Sequence, residues 1–241
     1  MSDLPVITQP IYSTTLPISE KTITYRPYLL KEEKIMLIAI ASQNFNDIRD
    51  AIKQIVKNCT NNTVNPTELT YVDVLFILSK VRAAARGNAV PVTMNCQHIM
   101  ENGQVCGTAN EVALDLEQLQ LTHDHNKEHD IMPLTDSINL KLAIPGIDML
   151  EILHNDLPDV TKLACMLVES VYDNENVWSK HNYTSSEWES FIENSLNVVQ
   201  LEEIQAYADN MPKTKIDVPF ECSNCGHKEI VAVEDIQDFL D

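Results

Sequence analysis

Val218-Pro219-Phe220-Glu221-Cys222-Ser223-Asn224-Cys225-Gly226-His227 places two cysteines with two residues between them and a glycine directly after the second. That spacing lets a tight turn aim both sulfurs at one ion, and glycine accepts the backbone angles the turn needs. A second unit of similar design lies far upstream: Val90-Pro91-Val92-Thr93-Met94-Asn95-Cys96, a loop of nine residues, then Cys106-Gly107-Thr108-Ala109-Asn110-Glu111-Val112. In each unit a Val-Pro strand enters a cysteine and a Cys-Gly turn follows. A glutamate then opens an alternating strand, Glu111-Val112-Ala113-Leu114 in one and Glu229-Ile230-Val231-Ala232 in the other. Two such hairpins facing each other predict a zinc ribbon, with Cys96, Cys106, Cys222 and Cys225 holding one structural Zn2+ per chain. Four thiolates at about 2.3 Å complete a tetrahedron, so the site holds structure and leaves no position for activating water. His98 and His227, each following a cysteine of its own turn, are alternative ligands, and surface thiols on two unrelated hairpins are the alternative to a metal site. Cys59 and Cys165 fall on apolar helix faces and read as packing residues.

Around these hairpins the chain has the composition of a globular protein, 44% apolar over 241 residues. Its 17 Lys and Arg against 36 Asp and Glu give a net charge of −19, a field that repels phosphate backbones and anionic lipid heads, so nucleic acid and membrane surfaces are poor partners. No stretch approaches the ~20 apolar residues of a bilayer span. The longest apolar run, Ile35 to Ala41, sits behind Lys31-Glu32-Glu33-Lys34 and predicts a core helix. Met1 to Pro10 lacks the basic and apolar regions of a secretory signal, which makes a reducing compartment the expectation and the six cysteines thiols or ligands rather than disulfides.

The expected fold class is α+β: a helical N-terminal unit and a helical insert around the small β zinc ribbon. Residues 1–28, with Pro5, Pro10, Pro17 and Pro27 among β-branched residues, read as an extended arm, the alternative being a disordered tail. Residues 29–88 carry three helical patterns: Leu30 to Ser42, then Ile48, Ala51, Ile52, Ile55, Val56 and Cys59, then about Thr70 through Val81 to a C-cap at Gly87, with Thr70 and Asp73 as cap candidates. The ribbon takes residues 89–120 and 213–241, and 121–212 form a mainly helical insert with a strand near 137–145. In the insert helical spacing runs from Pro158 through Val171. Thr184 with Glu187 opens a second helix as a capping box, and a third covers Val198 to Asn210.

Other constellations carry less. His123, His125 and His129 match no catalytic zinc spacing and read as a polar loop, and Cys96-Gln97-His98 lacks the glutamate a zinc deaminase requires. With five glycines, there is no phosphate loop, no Gly-x-Ser-x-Gly elbow and no dinucleotide fingerprint. These readings point to a non-enzymatic binding or assembly protein. The alternatives are a zinc-ribbon module of another function, nucleic-acid-associated if a basic aromatic face exists, or an enzyme with a site unlike these patterns. The basic helix end Arg82-Ala83-Ala84-Ala85-Arg86-Gly87 suits the helix dipole and, alternatively, an acidic partner.

Three stretches together resemble a known family. Tyr25-Arg26-Pro27-Tyr28-Leu29-Leu30-Lys31-Glu32-Glu33-Lys34-Ile35-Met36-Leu37, then Asp73-Val74-Leu75-Phe76-Ile77-Leu78-Ser79-Lys80-Val81-Arg82-Ala83-Ala84-Ala85, then the two cysteine hairpins, are similar in kind and order to the baseplate hub and hub-assembly proteins of T-even-like contractile-tailed bacteriophages. The first cysteine pair departs from that pattern by its insertion, His98 to Val105. The resemblance implies a hub subunit or hub assembly factor acting by protein–protein recognition. Its partners would be baseplate hub proteins, and its place the host cytoplasm during assembly or the virion tail baseplate. Tyr25, Arg26, Pro27, Arg82 and Arg86 are the candidate partner-binding residues.

Overall fold

The computed structural model describes residue 5 and residues 7–149 and 159–234, a mixture of helices and small antiparallel sheets of the α+β class. The start of the arm (1–4 and 6), the expected helix start at Pro158 and the last seven residues of the expected ribbon lie outside the described residues. The chain divides into two compact units. One comprises Met1–Asn65, Val72–Thr122 and Lys213–Asp241; the other comprises Pro66–Tyr71 and His123–Pro212. The first is called here the cysteine unit and the second the acidic unit.

In the cysteine unit the arm folds back on itself. Strands β1 (Tyr12–Thr15) and β2 (Thr22–Tyr25) pair antiparallel from Tyr12 opposite Tyr25 to Thr15 opposite Thr22. Threonine and tyrosine favour such a ladder, and Pro17 falls in the loop between the strands, where its missing N–H costs nothing. The buried Asp73 carboxylate accepts the loop's Ile18 and Ser19 N–H groups at 2.9 and 3.1 Å, which ties the hairpin to a helix more than fifty residues away.

Helix α1 (Leu30–Ser42) has the predicted bounds but not the predicted role. Its buried residues are Ala39 and Glu32, whereas Leu30, Leu37 and Ile38 are 64%, 58% and 72% exposed. The expectation of a core helix is corrected for a geometric reason. An uninterrupted apolar run covers every side of a helix, so packing on one side leaves the rest in water. Glu32, 0% exposed, is instead a hub of polar contacts: it accepts from Arg26 Nη2 at 3.1 Å and the Leu29 N–H at 2.9 Å, with Lys31 Nζ at 3.4 Å. Burial opposes its charge, but these donors win and hold its carboxyl below the ordinary value.

Helix α2 (Phe45–Cys59) buries Ala51, Ile52, Ile55, Val56 and Cys59, the expected stripe, and α3 (Tyr71–Arg86) buries Val72, Val74, Leu75, Ile77, Leu78 and Val81. Gly87 ends α3 at φ 91°, its N–H donating to Ala83 at 2.8 Å, a left-handed cap that a side chain would strain. Beyond it β3 (Ala89–Asn95) pairs with β4 (Ala109–Asp115), and β10 (Thr214–Glu221) lies between β11 (Lys228–Val233) and the short β5 (Gln120–Leu121). Val90, Leu114, Leu116, Ile216 and Val218 from both hairpins form one core, against which Phe76 and Ala83 of α3 pack.

The acidic unit is built on a four-stranded antiparallel meander, β6 (Ile131–Pro133), β7 (Asn139–Leu142), β8 (Val168–Tyr172) and β9 (Val177–Ser179), with helices α4 (Val160–Leu167), α5 (Ser185–Ser195) and α6 (Val198–Asp209). The helix expected to continue through Val171 stops at Leu167. Val168 and Val171 satisfy helical spacing, but as a strand they lie between β7 and β9, with Val171 opposite Leu140 and Trp178. β-branched residues favour that outcome once partner strands exist. The predicted capping box on α5 is present: Thr184 Oγ1 accepts from the Glu187 N–H at 3.3 Å and Glu187 Oε2 from the Thr184 N–H at 2.8 Å.

Candidate metal centre

The backbone brings the four cysteines together by repeating one arrangement twice. In the C-terminal turn the Cys222 N–H donates to His227 at 2.9 Å and the Gly226 N–H to Cys222 at 3.0 Å. In the upstream turn the Cys96 N–H donates to Thr108 and the Gly107 N–H to Cys96, both at 3.0 Å. Gly107 and Gly226 take φ values of 66° and 70°, the left-handed region where glycine has no steric penalty.

The insertion does not spoil this match, because it closes on itself. Ile99 bridges Val105, the Met100 N–H donates to Gln104 at 2.9 Å, and the Cys106 N–H donates to His98 at 2.8 Å. The insertion therefore projects as a side finger, and Cys96 and Cys106 meet as though separated by a short turn.

All four sulfurs lie within 4.8 Å of one another, with Cys96 Sγ 3.7 Å from Cys225 Sγ and Cys106 Sγ 3.8 Å from Cys222 Sγ. None of the six cysteines is paired in a disulfide. Four ligands at the usual zinc–sulfur distance sit ~3.8 Å apart along each tetrahedral edge, so the cluster has the dimensions of a tetrahedral thiolate site. Cys96 and Cys222 are buried beside Phe220, with Met94, Val112 and Val231 closing the apolar surround.

The titration of the cluster follows first from burial and from the N–H and O–H donors around each sulfur. Burial pushes the Cys96 thiol up to about 12, while the hydroxyl and N–H of Thr108 bring Cys106 down to about 6. Cys222 is lowered, first by the Cys225 N–H; Cys225 is raised, its bond from the His227 N–H being outweighed by burial and by Cys222. Four negative sulfurs at this separation repel, so without a cation some keep their protons, whereas a dication lets all four ionise.

His98 and His227, the alternative ligands, stack on each other with centroids 4.3 Å apart, and the four-sulfur group includes neither. Sequence reasoning missed Asn110, 8% exposed, which clamps the two turns: its Oδ1 accepts the Ser223 N–H at 2.8 Å and its Nδ2 donates to Thr108 at 2.9 Å and faces Cys222 Sγ at 3.8 Å. Its only signal was its position four residues after Cys106 at the start of an alternating strand.

The candidate partner-binding residues are mostly engaged within their own unit. Tyr25 is buried and stacks on Tyr12, Pro27 and Arg82 are buried, and Arg26 reaches the Pro27 carbonyl, Cys59 Sγ and Glu32. Arg86 pairs with Glu33 and keeps half of its side chain exposed. The polar loop of His123, His125 and His129 lies in the acidic unit, where His125 Nε2 meets Asp130 at 3.1 Å and the Tyr207 hydroxyl donates to the same carboxylate at 3.0 Å.

The fold and this site define an α+β protein in which two hairpins more than a hundred residues apart in sequence are brought together at a four-thiol centre. The chain belongs to the family described as T4 bacteriophage base plate protein, whose sequence profile matches residues 9–241, and is thus a phage baseplate protein. No curated protein and no solved structure matches it. No helix among the described residues is long and apolar enough to cross a membrane.

Proposed function

We propose that this chain is a non-enzymatic structural or assembly protein of the baseplate hub, acting by protein–protein recognition, with one Zn2+ bound by Cys96, Cys106, Cys222 and Cys225 as a zinc ribbon. The family match over residues 9–241 carries the baseplate part of this reading. The hub part is supported by the Lys-Glu-Glu helix α1, the helix α3 ending at Arg86 and the paired cysteine hairpins, in that order along the chain. Sulfur spacings of 3.7 and 3.8 Å support the metal, and a four-thiolate set favours zinc. Bound there, the ion supplies cohesion between the hairpins and no open coordination position.

Recognition in the host cytoplasm, during tail assembly, falls to exposed surfaces, Arg86 among them. Mass spectrometry of mature particles beside isolated tail intermediates tests the role. Presence in both makes the chain a permanent hub subunit, presence only on intermediates makes it an assembly factor, and absence from both removes the reading. Elemental analysis of purified protein is expected to give close to one zinc per chain; a folded, metal-free chain purified without chelator would sink the ribbon.

A further inference from the structure

The acidic unit holds a second feature with no part in the metal centre: an open groove of about 650 Å³ walled by β8, β9, α5 and the loop before β7. Both tryptophans of the protein, Trp178 and Trp188, line it together with Tyr183, Phe191, Leu134 and Ile138. Trp188 anchors the wall. It is buried, and Tyr183 and Phe191 meet it edge-to-face at 6.0 and 5.7 Å between centroids. Such packing fixes the rings, so a side chain entering the groove meets a formed surface and loses little freedom to reorganisation.

Charge identifies what would enter. The acidic unit carries 18 Asp and Glu against 4 Lys, a net −14, while the cysteine unit carries 18 against 13, a net −5. Among the described residues lining the groove none is basic, and Glu187 contributes a carboxylate. Asp136 adjoins the lining residue Thr135, and Asp173 and Glu175 lie in the turn that leads into β9. Two of the four lysines are engaged elsewhere: Lys180 donates to the Cys165 and Met166 carbonyls at the end of α4, and Lys141 pairs with Glu169. An acidic field around aromatic faces attracts lysine or arginine twice, by long-range steering and by cation–π contact at the ring.

We infer that this groove is a docking site for a short segment of a partner protein in which an apolar anchor is flanked by lysine or arginine. The inference rests on the assembly reading only for taking a protein, rather than a metabolite, as the occupant. The groove's volume suits one or two large side chains, and Tyr183, Trp178 and Phe191 present the rigid apolar contact from which interface affinity arises.

Because both tryptophans line the groove, their emission reports occupancy in the full-length, unlabelled protein. The probe is a synthetic peptide with a Leu-Phe-Leu centre flanked by lysines, compared with a twin flanked by glutamates. The lysine peptide is expected to shift the emission saturably with a Kd of about 10–100 µM, several-fold weaker in high salt, and the glutamate twin to bind at least about tenfold more weakly. Tyr183→Ala, at a partly exposed ring that also packs on Trp188, is expected to weaken the lysine peptide about fivefold while lowering the melting temperature by only a few degrees, and Trp178→Phe, which keeps an aromatic wall, is expected to weaken it by about twofold.

Equal binding of the twins, or no emission change up to millimolar peptide, overturns the inference. So does an affinity indifferent to both substitutions. Concentration-dependent self-association that Tyr183→Ala abolishes would assign the groove to a second copy and overturn it as well. The particle and intermediate fractions test the assembly reading separately: a chain missing from both that still prefers the lysine peptide keeps its groove and loses its proposed hub role.

Discussion

The two units of this protein solve the same problem with different chemistry. The cysteine unit draws on three stretches of chain and joins them with long-range polar links: four thiols from two hairpins, Asn110 across the turns, and Asp73 onto the arm; a buried Arg26–Glu32 pair adds a local link. The acidic unit is nearly continuous in sequence. It relies mainly on an antiparallel meander of neighbouring strands, two capping boxes at Thr184 and Asn197, and aromatic packing around Trp188. The difference teaches that distant segments need strong specific links because closing long loops costs entropy, whereas local pairings close short loops and need fewer, here Tyr207 to Asp130 and Gln200 to Leu134.

The largest break between the units is expected from metal removal. A strong zinc chelator, or Cys222→Ser, should take metal content from about one ion to near none and lower the melting temperature by more than about 10 °C. Hydrogen exchange should then accelerate in β3, β4, β10 and β11 while β6 to β9 keep their protection. Equal loss in both sets would show one cooperative body and erase the contrast.

Next in size is the buried ion pair. Arg26→Met leaves Glu32 buried without its strongest partner and should cost about 3 kcal/mol by denaturant titration. Acid adds a signed test. The folded Glu32 carboxyl lies below its ordinary 4.5, so this group contributes stability above about pH 4.5 that is lost as pH falls through the folded value. Glu32→Gln should lack that part of the acid limb and show a flatter profile there than the parent.

Asn110→Ala should cost about 1–2 kcal/mol by orphaning the Ser223 N–H between the turns. Thr184→Ala, its counterpart in the acidic unit, should cost about 1 kcal/mol, since it removes one local cap. Ile38→Ser on the exposed face of α1 should move stability by no more than about 0.5 kcal/mol, because the side chain is already in water. A larger loss would mean that this face is covered in solution, as it would be in a self-associated state.

Legibility tracked the range of the interaction. Helix ends at Gly87 and Thr184 were readable because a cap is decided within four residues. The strand at Val168 to Tyr172 was not, since its apolar spacing fits a helix until β7 and β9 are present to pair with it. α1 failed in the opposite direction: its type and bounds were plain, but which side would face water depended on where α2 packs, and Glu32 rather than an isoleucine took the buried place.

By itself, the sequence determined that two Cys-Gly turns offer four cysteines as candidate ligands, because ligand type and turn residue are local properties. It also determined the overall acidity, which is composition. Only the tertiary structure decided that the insertion His98 to Val105 folds aside so that Cys96 and Cys106 meet, that Asn110 clamps the turns, and that both tryptophans converge in a groove within the more acidic of the two units. Those outcomes depend on which distant backbones come into register, and no single stretch of chain carries that information.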